Sequence, residues 1–148
     1  MAEVALKDVK TLVGEETFSD WTEITQDRVN KFADATDDHQ WIHVDVERAK
    51  AAMGGTIAHG FLTLSLLAGM PTKGGSRVTG VSRGINYGLN KVRFTSMVPV
   101  GSKVRVKSKI IGVEERGGGA QVTRECTMEV EGADRPAMVA EWISMMFP

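Results

Sequence analysis

The run FLTLSLLAGM at positions 61–70 limits what this chain can fold into more than any other stretch. Leu62, Leu64, Leu66 and Leu67 point in nearly every direction around a helix, so most of its sides must be kept from water. The run falls far short of the roughly 20 apolar residues that a membrane span needs. Pro71 closes it. A helix of this kind has to be wrapped by other elements of a soluble fold.

The wrapping material is β-structure. Beyond position 80 the apolar period shifts towards two: Ile85, Tyr87 and Leu89 alternate, then the phase slips to Val92 and Phe94, which predicts a bulge near Asn90. Val104 and Val106 alternate with Lys103, Arg105 and Lys107. Val122, Cys126, Met128 and Val130 share one strand face, and a last strand covers about 137 to 147. RGGGAQ and EGADRP supply the turns. Upstream, Thr25 reads as an N-cap with Asp27 in the first turn, opening a helix over about 26 to 36. Asp45 caps a second short helix from Val46 to about Ala52, stopped by Gly54 and Gly55. Gly74 and Gly75 mark a loop without the pattern of a nucleotide cradle. With no internal repeat and no long linker, positions 1–148 read as one α+β domain.

Composition narrows the partners. The 148 residues are 42% hydrophobic and 25% charged, as in an ordinary globular domain with a sizeable core. A formal net charge of -1, with no long Lys/Arg cluster, argues against nucleic acid as a ligand. The single Cys126 has no internal disulfide partner, which suits a reducing compartment. The N-terminal residues MAEVALKDVKTLVGEE lack the layout of a signal peptide. A soluble, cytoplasmic protein with no membrane partner is the expectation.

Ionisable groups gather just ahead of the apolar run, in FADATDDHQWIHVDVERAKAAMGGTIAHG. Asp38 and His43 follow the end of the first helix signal, so a loop is predicted to carry both. There they could turn towards one water molecule as a proton-transfer pair, or form a plain ion pair or caps. Gly60 stands where the apolar helix begins. A helix N-terminus offers unsatisfied N–H groups, and glycine lets a carbonyl oxygen approach closely; tight packing is the other reason for a glycine there. Ser65 either bonds the carbonyl one turn back or faces the site. His59 reads as a hydrogen-bonded histidine at the start of the helix. His39 and His43 have the spacing of a metal pair only if a helix holds them, and no metal site is expected. Cys126 reads as a small hydrophobe.

D-H-Q-W-I-H followed by A-H-G-F-L-T-L-S resembles the hydratase signature of the MaoC-like dehydratases, which include the R-specific enoyl-CoA hydratases. The continuation INYGLNKVRF…VPVGSKVR is similar to their NodN-like branch, so the resemblance covers nearly the whole chain. It implies a hot-dog fold, an antiparallel sheet wrapped around a long central helix, and a homodimer whose sheets join edge to edge. It puts the catalytic aspartate at Asp38, the histidine at His43 and the thioester-polarising glycine amide at Gly60. Ser65, His59 and Trp41 complete the expected substrate-binding set.

The implied reaction adds water to a trans-2-enoyl-CoA to give the (R)-3-hydroxyacyl-CoA, or reverses it, in fatty-acid metabolism. Coenzyme A enters only as part of the substrate, and no metal or redox cofactor is required. Gln40-Trp41 replaces the Asn-Pro that many members carry, so acyl-pocket size does not transfer. The rival readings are an acyl carrier protein-dependent 3-hydroxyacyl dehydratase, a thioesterase, or a non-catalytic acyl-thioester binding protein. The rival enzymes commonly place a carboxylate on the central helix, and none occurs between His59 and Met70. A binding protein has little need for Asp38, His43 and Gly60 together.

Overall fold

The computed structural model describes residues 1–148. The apolar run becomes a helix, Gly60–Gly69, denoted α4 because three helices precede it: α1 (Gln26–Thr36), α2 (Trp41–Val44) and α3 (Val46–Met53). Four long strands form most of the wrapping: β6 (Arg83–Phe94), β7 (Lys103–Arg116), β8 (Gly119–Val130) and β9 (Met138–Phe147). Shorter ones are β1 (Glu3–Ala5), β2 (Glu16–Ser19), β3 (Thr22–Glu23), β4 (Thr72–Lys73) and β5 (Arg77–Thr79). A 3₁₀ helix, Leu6–Leu12, follows β1. The main sheet runs β4-β2-β7-β8-β9-β6 with β3 beside β7, and every pairing in it is antiparallel. β1 and β5 make a separate parallel pair.

Alternation along the strands decides where the core sits. Val104 and Val106 of β7, Cys126 and Met128 of β8, and Met138 and Ala140 of β9 turn to the concave face. They meet Leu62, Leu67 and Met70 at α4, with Val29 of α1 and Ile24 closing one end. Burying each such side chain is worth about 1.5–3 kcal/mol, so this contact outweighs any local propensity. This is the hot-dog arrangement: an antiparallel sheet around a central helix. A smaller cluster, Val9, Leu12, Ile110, Ala120 and Val122, lies under the 3₁₀ helix.

The local signals map closely. Thr25 caps α1 by accepting the Arg28 N–H, and the Asp45 side chain does the same for Arg48 at α3. The bulge near Asn90 is present as a register shift between Asn90 and Arg93, with Lys91 at φ 46°. A second shift, between Asn86 and Gly88, leaves no mark on the apolar pattern. One expectation needs correction. α4 is not covered on most sides within one chain: Phe61, Ser65 and Ala68 stay exposed. The reason is geometric, because a single sheet offers one concave face and the opposite side of the helix is left open.

Gly119 shows how tightly the β8–β9 edge is closed. A Cβ there would fall on the Met146 carbonyl, which is backbone and cannot swing aside, whereas one at Gly88 meets open space. Gly119→Ala is expected to cost about 1–3 kcal/mol in urea unfolding. Gly88→Ala should stay within about 0.5 kcal/mol of the parent.

Candidate active site

The N-terminal end of α4 is where the ionisable groups converge. α1 ends in Asp37, a left-handed residue at φ 59°. This turn brings the chain back so that the Asp38 carbonyl accepts a hydrogen bond from His59 Nε2 at 3.0 Å. His43 lies on α2, which corrects the loop expectation. A four-residue helix is too short to show an apolar period. His43 and His59 are both buried, and their rings stack with centroids 3.8 Å apart. Phe32 of α1 tilts against His59 at 4.9 Å.

The hydrogen bonds fix the tautomers. A carbonyl oxygen only accepts, so His43 Nδ1 carries the proton it donates to Ile57 O at 2.7 Å, which leaves Nε2 as the nitrogen available to accept. By the same logic His59 Nε2 carries a proton, and its Nδ1 is buried without a partner in the chain. The ligand atoms of Asp38, His43 and His59 lie within 4.8 Å of one another. An imidazole and a carboxylate this close can share one water.

Sequence reasoning missed what holds His43 in place. Gln26 in the first turn of α1 donates to the His43 carbonyl at 2.7 Å and accepts from Thr56 Oγ1 at 2.6 Å. That one side chain ties α1, α2 and the segment before α4 together. The segment is pinned in turn by Ala58 N–H to Val98 O and Val100 N–H to Thr56 O. Separations of 17 and 30 residues leave no local signature.

The remaining expected residues divide. Gly60 is the first residue of α4, its N–H has no acceptor in the chain, and it lines a cavity of about 490 Å³ with His43, Thr63, Phe94 and Met97. Asp38 is exposed and lies outside that lining. Ser65 Oγ donates to Phe61 O at 2.7 Å, the back-bonding alternative, and faces a groove further along α4 with Tyr87 and Leu89. Trp41 does not join the cluster; Arg48 sits over its ring at 4.2 Å. It occupies the first position of α2, where an N–H is dispensable. This is the position that tolerates the proline of the resembling motif. His39 points away, to Asp34 at 2.9 Å, and that hydrogen bond raises its pKa. Burial pushes the Cys126 thiol up, in keeping with a small core residue.

The chain is similar to known proteins along most of its length. Residues 8–132 match the family model described as MaoC like domain. The chain is 55% identical over 142 residues to 3-hydroxyacyl-thioester dehydratase Z of Mycobacterium tuberculosis, covering 94% of this chain and 93% of the relative. It is 45% identical over 150 residues to Nodulation protein N of Rhizobium leguminosarum bv. viciae, covering 99% and 93%. Among solved structures, the (R)-hydratase from A. caviae involved in PHA biosynthesis superposes with a TM-score of 0.72 at 23% identity, covering 92% and 96%, which shows the shared fold.

The space above Gly60 is filled by the Phe94 ring, which a Cβ would meet at 3.1 Å. Phe94 is itself 46% exposed, so its ring has open space on one side. Gly60→Ala is therefore expected to change unfolding free energy by less than about 1 kcal/mol, since alanine also favours the helix. A loss above about 2 kcal/mol in a denaturant melt would mean that packing alone requires the glycine.

Proposed function

This chain belongs to the MaoC-like domain family, and from that premise we propose that it hydrates trans-2-enoyl-CoA to (R)-3-hydroxyacyl-CoA, or reverses that step. It is a hydro-lyase of the 3-hydroxyacyl-thioester dehydratase kind. The single observation that carries the site assignment is the approach of His43 and the Asp38 carboxylate to within 4.8 Å, beside the unpaired Gly60 N–H, with Nε2 the His43 nitrogen left over by the Ile57 bond. In the hydration direction, Asp38 and His43 hold one water between them. Its oxygen attacks C3 while His43 Nε2 takes a proton. The electron pair of the C2–C3 bond moves towards the thioester oxygen, where Gly60 N–H steadies the enolate. The proton then returns to C2. Water is the only co-reactant, so the balance calls for no redox cofactor.

The whole chain serves as one domain in this reading, acting in the cytoplasm within fatty-acid metabolism. His59 holds the Asp38 backbone and the face of the His43 ring rather than meeting the acyl group. Trp41 shapes α2 from outside, through Arg48. Ser65 is left as the contact for the acyl chain along α4.

We also propose a homodimer. β6 ends the sheet, paired only with β9, so the far edge of its 12 residues is open. Ile85, Tyr87, Leu89 and Phe94 on it are large and exposed, and so are Phe61 and Met97 beside it; Phe61 is 68% exposed. An apolar patch of this kind marks an interface. A second copy laid along β6 would pair the edge and cover the bare side of α4.

Asp38→Asn and His43→Gln should each lower crotonyl-CoA hydration by at least roughly a hundredfold with the circular dichroism unchanged. Near-normal turnover in either variant overturns the proton-transfer assignment. Gly60→Ala should lower kcat by roughly tenfold, because its methyl group crowds the approach to the N–H. Running the same assay on acyl carrier protein thioesters separates the carrier alternatives. Light scattering at micromolar protein should give a dimer mass; a monomer there removes the edge-pairing proposal.

A further inference from the structure

β8 contains one residue that breaks its own pattern. Val122, Cys126 and Met128 face the concave side of the sheet and are at most 1% exposed. Strand alternation puts Arg124 on that same side, in the row that packs towards α4. The register sets it opposite Trp142 of β9 and Ile110 of β7. Around it the apolar face turns polar: Ser108 and Ser144 are both buried, and Cys126 Sγ lies 3.9 Å from Ser108 Oγ. A guanidinium among these neighbours needs a physical reason.

Its partners within the chain do not supply one. Arg124 Nη1 donates to Ser144 Oγ at 2.9 Å, and the Trp142 ring lies 5.7 Å from the guanidinium carbon. No carboxylate is within ion-pair distance of it. Glu15 lines a small neighbouring cavity with Arg124, yet its two oxygens are taken by Ser76 N–H at 2.9 Å and Ser76 Oγ–H at 2.7 Å. Glu125, next in sequence, points to the opposite face and is exposed. Withdrawal from water lowers the Arg124 pKa from its ordinary value, so the charge is held at a cost that an anion would offset.

The guanidinium opens on a cavity of about 400 Å³ lined also by Leu67, Met70, Asn86 and Trp142. Three stretches follow α4 along β6: Gly60 faces Phe94 in the His43 cavity, Ser65 lines a middle groove with Tyr87 and Leu89, and Ala68 lines the Arg124 cavity with Ile85 and Asn86. Leu67, Ala68, Asn86 and Trp142 line both the middle groove and the Arg124 cavity, so the two are continuous. From Gly60 to Ala68 the helix rises roughly 12 Å, a medium-chain acyl length once the reach of the arginine side chain is included.

We propose that Arg124, with Ser108 and Ser144, forms an anion-binding end to the acyl groove and selects thioesters whose acyl chain ends in a carboxylate. A planar guanidinium takes a carboxylate through two parallel hydrogen bonds, a geometry that neither serine nor a methyl terminus offers. The apolar stretch between Ser65 and Met70 accommodates the methylenes. This inference rests on the hydratase reading for where the thioester sits, and on the residues of β7, β8 and β9 for what the far end binds.

The test compares mono-CoA thioesters of 2-enedioic acids with methyl-terminated 2-enoyl-CoAs of equal length, over about six to ten carbons (the roughly 12 Å span). The expected ratio of kcat/KM, carboxylate to methyl, reaches at least roughly tenfold at its best length. Arg124→Gln should bring it to about one or below, and Arg124→Met should invert it. A parent enzyme that favours the methyl terminus at every length overturns the proposal, whether or not the variants fold. So does an Arg124→Gln enzyme with an undiminished ratio. If crotonyl-CoA and every other enoyl thioester go unhydrated, the hydratase reading has failed by itself. Calorimetric binding of suberyl-CoA against octanoyl-CoA then decides the anion site: tighter suberyl-CoA binding that Arg124→Gln abolishes supports it, and equal binding removes it.

Discussion

The contact between α4 and the concave face of the main sheet governs the architecture, because α4 has no polar side to give to water. Leu62, Leu67 and Met70 at α4 are buried against Val104, Val106, Cys126, Met128 and Met138, residues drawn from three strands. Removing that surface from water is the largest favourable contribution within reach of a domain of this size. It forces the strands to curve round one helix. It also leaves the helix bare on one side, since a sheet of this width closes around only part of it. The exposed row Phe61, Ser65 and Ala68 and the open edge of β6 therefore have one origin.

The same burial creates the site. α4 begins at the half-buried Gly60, whose N–H has no acceptor in the chain. The segment before α4, pinned through Ala58 and Thr56, delivers His59 and Gly60 to that point. α1 and α2 cover it, with Gln26 as the tie between them. Asp38 is held by its backbone to His59, so its carboxylate stays at the solvent edge while His43 is inside. The proposed proton-transfer pair thus has one member exposed and one buried.

At the other end of α4 the polar exceptions recur. Ser108, Arg124 and Ser144 interrupt three adjacent strands along a diagonal, each two residues further in register than the last, where an unbroken apolar face would pack better. Buried polar groups lower stability unless they are matched, and these three line one cavity, where the proposed carboxylate would match the guanidinium. The two ends of one helix thus carry different groups: an N–H and two imidazoles at its start, a guanidinium at its close.

Much of this was legible in the chain as written. The all-round apolar decapeptide demanded a wrapping sheet, and period-two alternation after position 80 supplied it. Thr25 and Asp45 are caps because their side chains act on neighbours three residues away, and such local events leave local marks. Asp38, His43 and Gly60 drew attention through their types and their place beside the apolar run. Other features depend on contacts across long separations. Whether Ser65 bonds backward, whether Trp41 faces the site, and that Gln26 supports His43 follow from side chains meeting in space. Arg124 is the clearest case. In sequence it is one charge in a strand of mixed character; only the pairing of β8 with β7 and β9 puts it inside the sheet with no carboxylate to meet it. Local sequence determined which elements form, because caps and periodicity act within a turn or two. The tertiary structure alone decided which groups share a cavity, because that is set by strand register and helix burial summed over the whole chain.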